Sequence, residues 1–266
     1  MNEELLKTIV QLFAVVAKER ITEAEKENLR DFLSIHVSHD TIPYYLSFFE
    51  EHIENAKRAN IDLHDADDDT LEYIDNWANI MQMCKKINEG LTRQQKIVLL
   101  LKLVELMLQD GIISERQSNL IYYIGEVINV KQEHINFIQQ FLVAEDPDEI
   151  DTSQALIIDA GLEDHTYKSK HIIRPNLTGL ILILRVPDAD TYFIKYLGIS
   201  ALTLNGSNLR SRKSYVFPTG STVRGSKMQP VYYSDIVGKF LSGDDSTKLS
   251  FEAKNITYKF KSGATG

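Results

Sequence analysis

The hydrophobic period of this chain changes once, and the change falls at residues 144–153, AEDPDEIDTS. Before it, apolar residues recur three and four apart: Leu5, Ile9, Leu12, Phe13 and Val16, then Leu29, Phe32 and Leu33. After it they alternate or come in short bursts: ALIID (155–159), GLILILRV (179–186), TYFIKYL (191–197), ALTL (201–204), YVF (215–217) and PVYY (230–233). The first pattern lays an apolar stripe along helices, and the second suits pleated strands. The expected fold class is therefore α+β in two separate domains, an all-α bundle followed by an all-β small sandwich or barrel. The expected boundaries are a bundle over 1–145, a linker over 146–153, a β-rich module over 154–245 and a C-terminal segment over 246–266.

Pro43 is the only proline between residues 3 and 143. About seven helices are expected there, near 2–18, 23–36, 40–56, 70–88, 93–109, 115–128 and 131–143. Thr22 with Glu25, and Ser114 with Gln117, fit capping boxes. Gly90 and Gly111 fit helix ends. Residues 13–37 can be laid over 105–130 at an offset of about 92, with one extra residue in the second copy. Ile21 then meets Ile113, Thr22 meets Ser114, Leu29 meets Ile121, Phe32 meets Ile124 and Phe49 meets Phe141. A capped helix set occurring twice predicts a pseudo-twofold bundle.

Charge divides at the same place. Residues 1–153 carry 14 Lys+Arg against 29 Asp+Glu, a balance of −15, and residues 154–266 carry 15 against 9, a balance of +6. An acidic bundle approaches a phosphate backbone against its own field, so no nucleic-acid partner is expected. The two halves are expected to attract each other. The single cysteine, Cys84, cannot form an internal disulfide, which points to a reducing compartment. The N-terminus lacks secretory features, and no apolar run reaches the ~18 residues of a membrane span. A cytoplasmic chain with no direct membrane insertion is the expectation.

Several stretches bear on chemistry. GSTVRGSK (220–227) nearly matches a phosphate loop, but Ser226 occupies the lysine position and Lys227 comes one residue late. With YVFP before it and Met-Gln-Pro-Val-Tyr-Tyr after it, the stretch reads as a Gly220-Ser221 turn and a short strand through Thr222 to Arg224. Asp65, Asp67 and Asp69 have the spacing that opens a calcium loop, yet Thr70 and Asn76 replace the glycine and glutamate that complete one. They are either divalent-metal ligands or an acidic loop in which Asp69 or Thr70 caps the next helix. Arg210, Arg212, Lys213, Arg224 and Lys227 either clamp a phosphate or an acidic partner, or form a solvated hairpin face. Asn205-Gly206 marks a type I′ turn.

Three resemblances follow from particular runs. LLKLVELMLQDGIISERQSNLIYYIGEVINV (100–130) resembles the core of TerB-like domains, an all-helical family named for tellurite resistance. That resemblance, which covers roughly 1–145, implies metal ligation by acidic loop residues such as Asp110 and Glu115. Gln117, however, stands where the family has Glu. LTLNGSNLRSRKSYVFPTGSTVR (202–224) resembles the last third of a forkhead-associated domain, a phosphothreonine-binding fold, though Ser169 and Arg174 upstream lack that family's binding motif. LSFEAKNITYKFKSGATG (249–266) resembles the first strand of an ABC-transporter ATPase domain, with Phe260 in the adenine-stacking position.

In this order the three resemble the N-terminal region of large bacterial ABC-transporter ATP-binding proteins, cut at the start of the ATPase domain. The expected function is thus a non-catalytic, cytoplasmic regulatory or interaction region, not itself an enzyme, that docks protein partners or its own ATPase and transmembrane domains. It would lie at the inner membrane through the parent transporter, which would use ATP and magnesium while this chain holds no cofactor of its own. The alternative is a self-contained TerB-like metal- or stress-responsive binding protein using its acidic loops.

Overall fold

The computed structural model describes residues 1–17, 22–58, 71–108, 113, 115–150, 152–161 and 169–242. Among the described residues, seven α-helices occupy the first half: α1 (Glu3–Val16), α2 (Glu23–Ser34), α3 (Ile42–Arg58), α4 (Leu71–Gly90), α5 (Arg93–Met107), α6 (Glu115–Val127) and α7 (Gln132–Val143). All seven lie within about two residues of their expected spans. The Thr22–Glu25 capping box opens α2, and Thr92 with Gln95 forms another at α5. The expected box at Ser114 lies outside the described residues.

α3 packs on α1 and α2, and α7 packs on α5 and α6. The repeat-related residues Leu29, Phe32, Phe49, Ile121, Ile124 and Phe141 are all buried. The matched sequence positions thus occupy matched roles in two three-helix sets. Phe13 and Phe32 meet at 5.4 Å between ring centroids within the first set.

Among the described residues, the second half contains nine strands: β1 (Ala155–Asp159), β2 (Lys170–Ile173), β3 (Leu180–Val186), β4 (Thr191–Leu197), β5 (Leu202–Leu204), β6 (Ser207–Asn208), β7 (Ser214–Val216), β8 (Thr222–Gly225) and β9 (Val231–Tyr232). A five-stranded sheet has the order β2-β1-β3-β4-β7, with β1 and β2 parallel and the other pairs antiparallel. A four-stranded antiparallel sheet has the order β6-β5-β8-β9. Asn205 and Gly206 take φ of 53° and 87° at the β5–β6 turn, the paired positive angles of a type I′ hairpin. GSTVRGSK folds as a turn and then β8, as its flanks predict.

A nine-residue helix, α8 (Tyr233–Leu241), follows β9, so the second half is not all-β. Tyr233 belongs to the expected strand PVYY, and no helix is expected over the residues that follow it. Ile236 and Phe240, four apart, are nevertheless both buried against the sheets. The Asp235 carboxylate accepts from the backbone N–H of Tyr232, which ties down the first turn.

Alternate residues of the five-stranded sheet enter two different cores. Leu156, Ile158, Ile181, Ile183, Ile194 and Tyr196 pack against the second sheet and α8, making a sandwich. Ala155, Ile157, Leu182, Leu184, Val186 and Phe193 join the core of the helical bundle. The intervening segment is packed as well: Ala144 and Ile150 are buried in that same core, and residues 147–149 form a 3-10 turn. The α and β halves therefore share one interior. Truncating Leu182, fully buried where sheet meets bundle, to alanine should cost about 2–5 kcal/mol in denaturant unfolding, whereas a loss below about 1 kcal/mol would contradict this packing.

Candidate functional site

Where the bundle covers the sheet, polar and charged groups line the boundary. The innermost is Lys195 on β4, which is 1% exposed. Its neighbours Phe193 and Leu197 share its face and pack on the bundle core. Lys195 Nζ donates to the carbonyls of Leu142 (3.0 Å) and Ala144 (2.6 Å), and lies 5.5 Å from the Phe141 ring centroid. The last carbonyls of a helix have no intrahelical donor, so the lysine caps the C-terminus of α7 and meets its negative pole. Burial pushes the Lys195 ammonium down to about 8, with Glu145, Glu149 and Glu105 pulling the other way.

Beside it, the Glu105 carboxylate on α5 accepts from Lys102 Nζ at 2.5 Å and from Ser214 Oγ of β7 at 2.5 Å. Asn28 Nδ2 on α2 donates to the carbonyl of Lys102 at 3.3 Å. This buried network joins two helices to an edge strand. On the opposite rim, the Asp188 carboxylate takes Lys131 Nζ at 2.6 Å, and Arg93 donates to the Asp188 carbonyl at 3.2 Å. Lys131 holds the Asp188 carboxyl below its usual range. His134 Nε2 lies 3.9 Å from the same carboxylate, and burial lowers that imidazole.

The outer rim is the basic turn between β6 and β7. Arg210 pairs with Glu27 at 3.2 Å, Arg212 with Glu145 at 2.8 Å, and Lys213 with Asp31. The partners are carboxylates of α2 and of the segment after α7. Arg210 and Arg212 side chains are 64% and 71% exposed, so each of their pairs is worth ~1 kcal/mol at most. The Lys213–Asp31 pair is more sheltered.

Three of the five cations expected to form one patch thus meet here. Arg224, on β8 opposite Thr203, and Lys227, in the loop beyond, form none of these bonds, and neither has an ion-pair partner among the described residues. Glu115 is exposed in the first turn of α6. Asp65, Asp67, Asp69, Asp110 and Phe260 lie outside the described residues. No three His, Cys, Asp or Glu side chains among the described residues gather to hold a metal ion. Likewise, no helix of the described residues is long and apolar enough to cross a membrane.

Sequence reasoning passed over Lys195, Glu105, Lys102 and Asp188. For Lys195 a signal existed: in TYFIKYL it is a charge at a position whose neighbours two away are apolar. Comparison with protein-family models, curated proteins and solved structures finds no match to this chain. The functional reading therefore rests on its own residues.

The buried lysine gives a signed pH dependence. Between about pH 8 and the ordinary lysine value of 10.5, the unfolded chain keeps a proton that the folded protein releases. Stability should therefore rise with pH in that window, and below it Lys195 contributes no slope. Cys84, whose thiol burial pushes up to about 12 from 9.0, opposes this once pH passes 9.0, and Tyr45, Tyr123 and Tyr192, raised by burial, oppose it above 10.0, so the comparison belongs below pH 9. Urea unfolding of the native protein should gain about 1 kcal/mol between pH 8 and 9, a gain largely lost in Lys195→Met and Lys195→Gln. An unchanged slope in both variants would contradict the assignment.

Proposed function

We propose that this chain is a non-catalytic regulatory and interaction region of a bacterial ABC-type ATP-binding protein, working on the cytoplasmic side of the membrane. The observation that carries the reading is the run LSFEAKNITYKFKSGATG (249–266), whose order of apolar, Phe, Asn, Thr and paired aromatic residues resembles the adenine-seating strand of such ATPases. The resemblance assigns Phe260 to stack on adenine in the parent protein.

The charged boundary supports the interaction part of the reading. A bundle of balance −15 and a β half of balance +6 meet through exposed pairs at the rim, and exposed pairs exchange readily with other charged groups. That suits a region which docks a partner or reports a state. Phosphate-loop chemistry belongs, on this reading, to the parent ATPase. GSTVRGSK, the nearest match in this chain, is spent on β8.

Titration of the 266-residue chain with MgATP, followed by calorimetry, should give no saturable heat at micromolar nucleotide. Tight, magnesium-dependent binding would sink the proposal.

A further inference from the structure

The basic turn has features that pairing the two halves does not require. Arg212 sits in the left-handed region at φ 62°, a conformation that side-chain-bearing residues seldom adopt and that costs of order 1 kcal/mol. The turn is fixed from the sheet side: the Arg212 N–H donates to the Tyr196 carbonyl at 2.7 Å, and the Arg210 N–H donates to the Tyr215 hydroxyl at 3.1 Å. The backbone of a turn that carries three cations within four residues is thus tied to β4 and β7, while the three side chains reach the carboxylates of the bundle.

Their present partners describe what they recognise. Glu27 and Asp31 stand four residues apart on α2, so they share one face of that helix. The Glu27 carboxyl is held below its usual range, first by Arg30 and then by Arg210. The turn is therefore fitted to an acidic helix face, and its two arginines remain open to solvent.

We infer that the Arg210–Lys213 turn is a docking site for an acidic helical segment of a partner protein, occupied in the free chain by the chain's own α2. Carboxylates spaced four apart on the incoming helix replace Glu27 and Asp31 at Arg210 and Lys213, and Arg212 exchanges Glu145 for a further acidic group. The α2 contact then acts as an intramolecular competitor, so only a partner with higher charge density or effective concentration displaces it. This deepens the interaction reading above but does not depend on attachment to an ATPase.

The probe is a labelled synthetic peptide copying residues 22–35, TEAEKENLRDFLSI, titrated into the full chain at low salt and read by fluorescence anisotropy. Freeing the turn with Glu27→Gln plus Asp31→Asn should tighten peptide binding about ten-fold over the native chain. Arg210→Ala plus Arg212→Ala on that background should abolish it, and raising salt should weaken it. Circular dichroism of each variant verifies that the fold is retained. Equal binding of a control peptide with Glu and Asp replaced by Gln and Asn would overturn the inference, and so would no binding to the freed turn. MgATP heat bears only on the ATPase attachment, so the two readings fail separately.

Discussion

The central strands β1 and β3 of the five-stranded sheet are largely apolar on both faces, and the rest of the molecule is arranged to keep water from both. In β3, Leu182, Leu184 and Val186 point one way while Ile181 and Ile183 point the other, and all five are buried. A strand of that kind is stable only with a layer on each side. The bundle supplies one layer, and the second sheet with α8 supplies the other. Removing either would expose a contiguous apolar surface, which a monomer in water tolerates poorly. The short segment after α7 follows the same demand, since Ala144 and Ile150 pack inward and leave Glu145, Asp146 and Glu149 outside.

Covering a sheet with helices raises a second problem, because a helix that ends against apolar strands leaves its last carbonyls away from water. Lys195 resolves it for α7. A buried ammonium is costly, and two short hydrogen bonds, an aromatic ring and nearby carboxylates offset that cost. Replacing it with a hydrophobic residue would relieve the charge but orphan the carbonyls. The lysine is thus a condition of the layered arrangement. The outer ion pairs contribute less to stability and more to which acidic group occupies the basic turn.

Much of this was legible in the sequence. Helices with strong 3.6 periodicity and paired caps, such as α2, lie within two residues of expectation because local chemistry sets their ends. The Asn205-Gly206 hairpin and the strand nature of GSTVRGSK followed from backbone preference alone. α8 was not legible, because a nine-residue helix depends on the sheets that its Ile236 and Phe240 face. The charge division between halves was visible, but its use was not. Lys213 and Asp31 are separated by 182 residues, and nothing local pairs them. The same holds for Ser214 and Glu105, which meet only because β7 is the edge strand beside α5. Of the cations grouped by their closeness in sequence, those on one turn stayed together, and Arg224 was carried away on another sheet.

The central claim is that bundle and sheet form one cooperative unit through their common interior. The most direct measurement follows denaturant unfolding with two reporters at once. One is the fluorescence of Trp77, the only tryptophan, which packs edge-on against Tyr123 within the bundle. The other is hydrogen-exchange protection of the β3 amides. A shared core predicts coincident midpoints and slopes for both. Loss of β3 protection at a denaturant concentration where Trp77 still reports a folded bundle would contradict it.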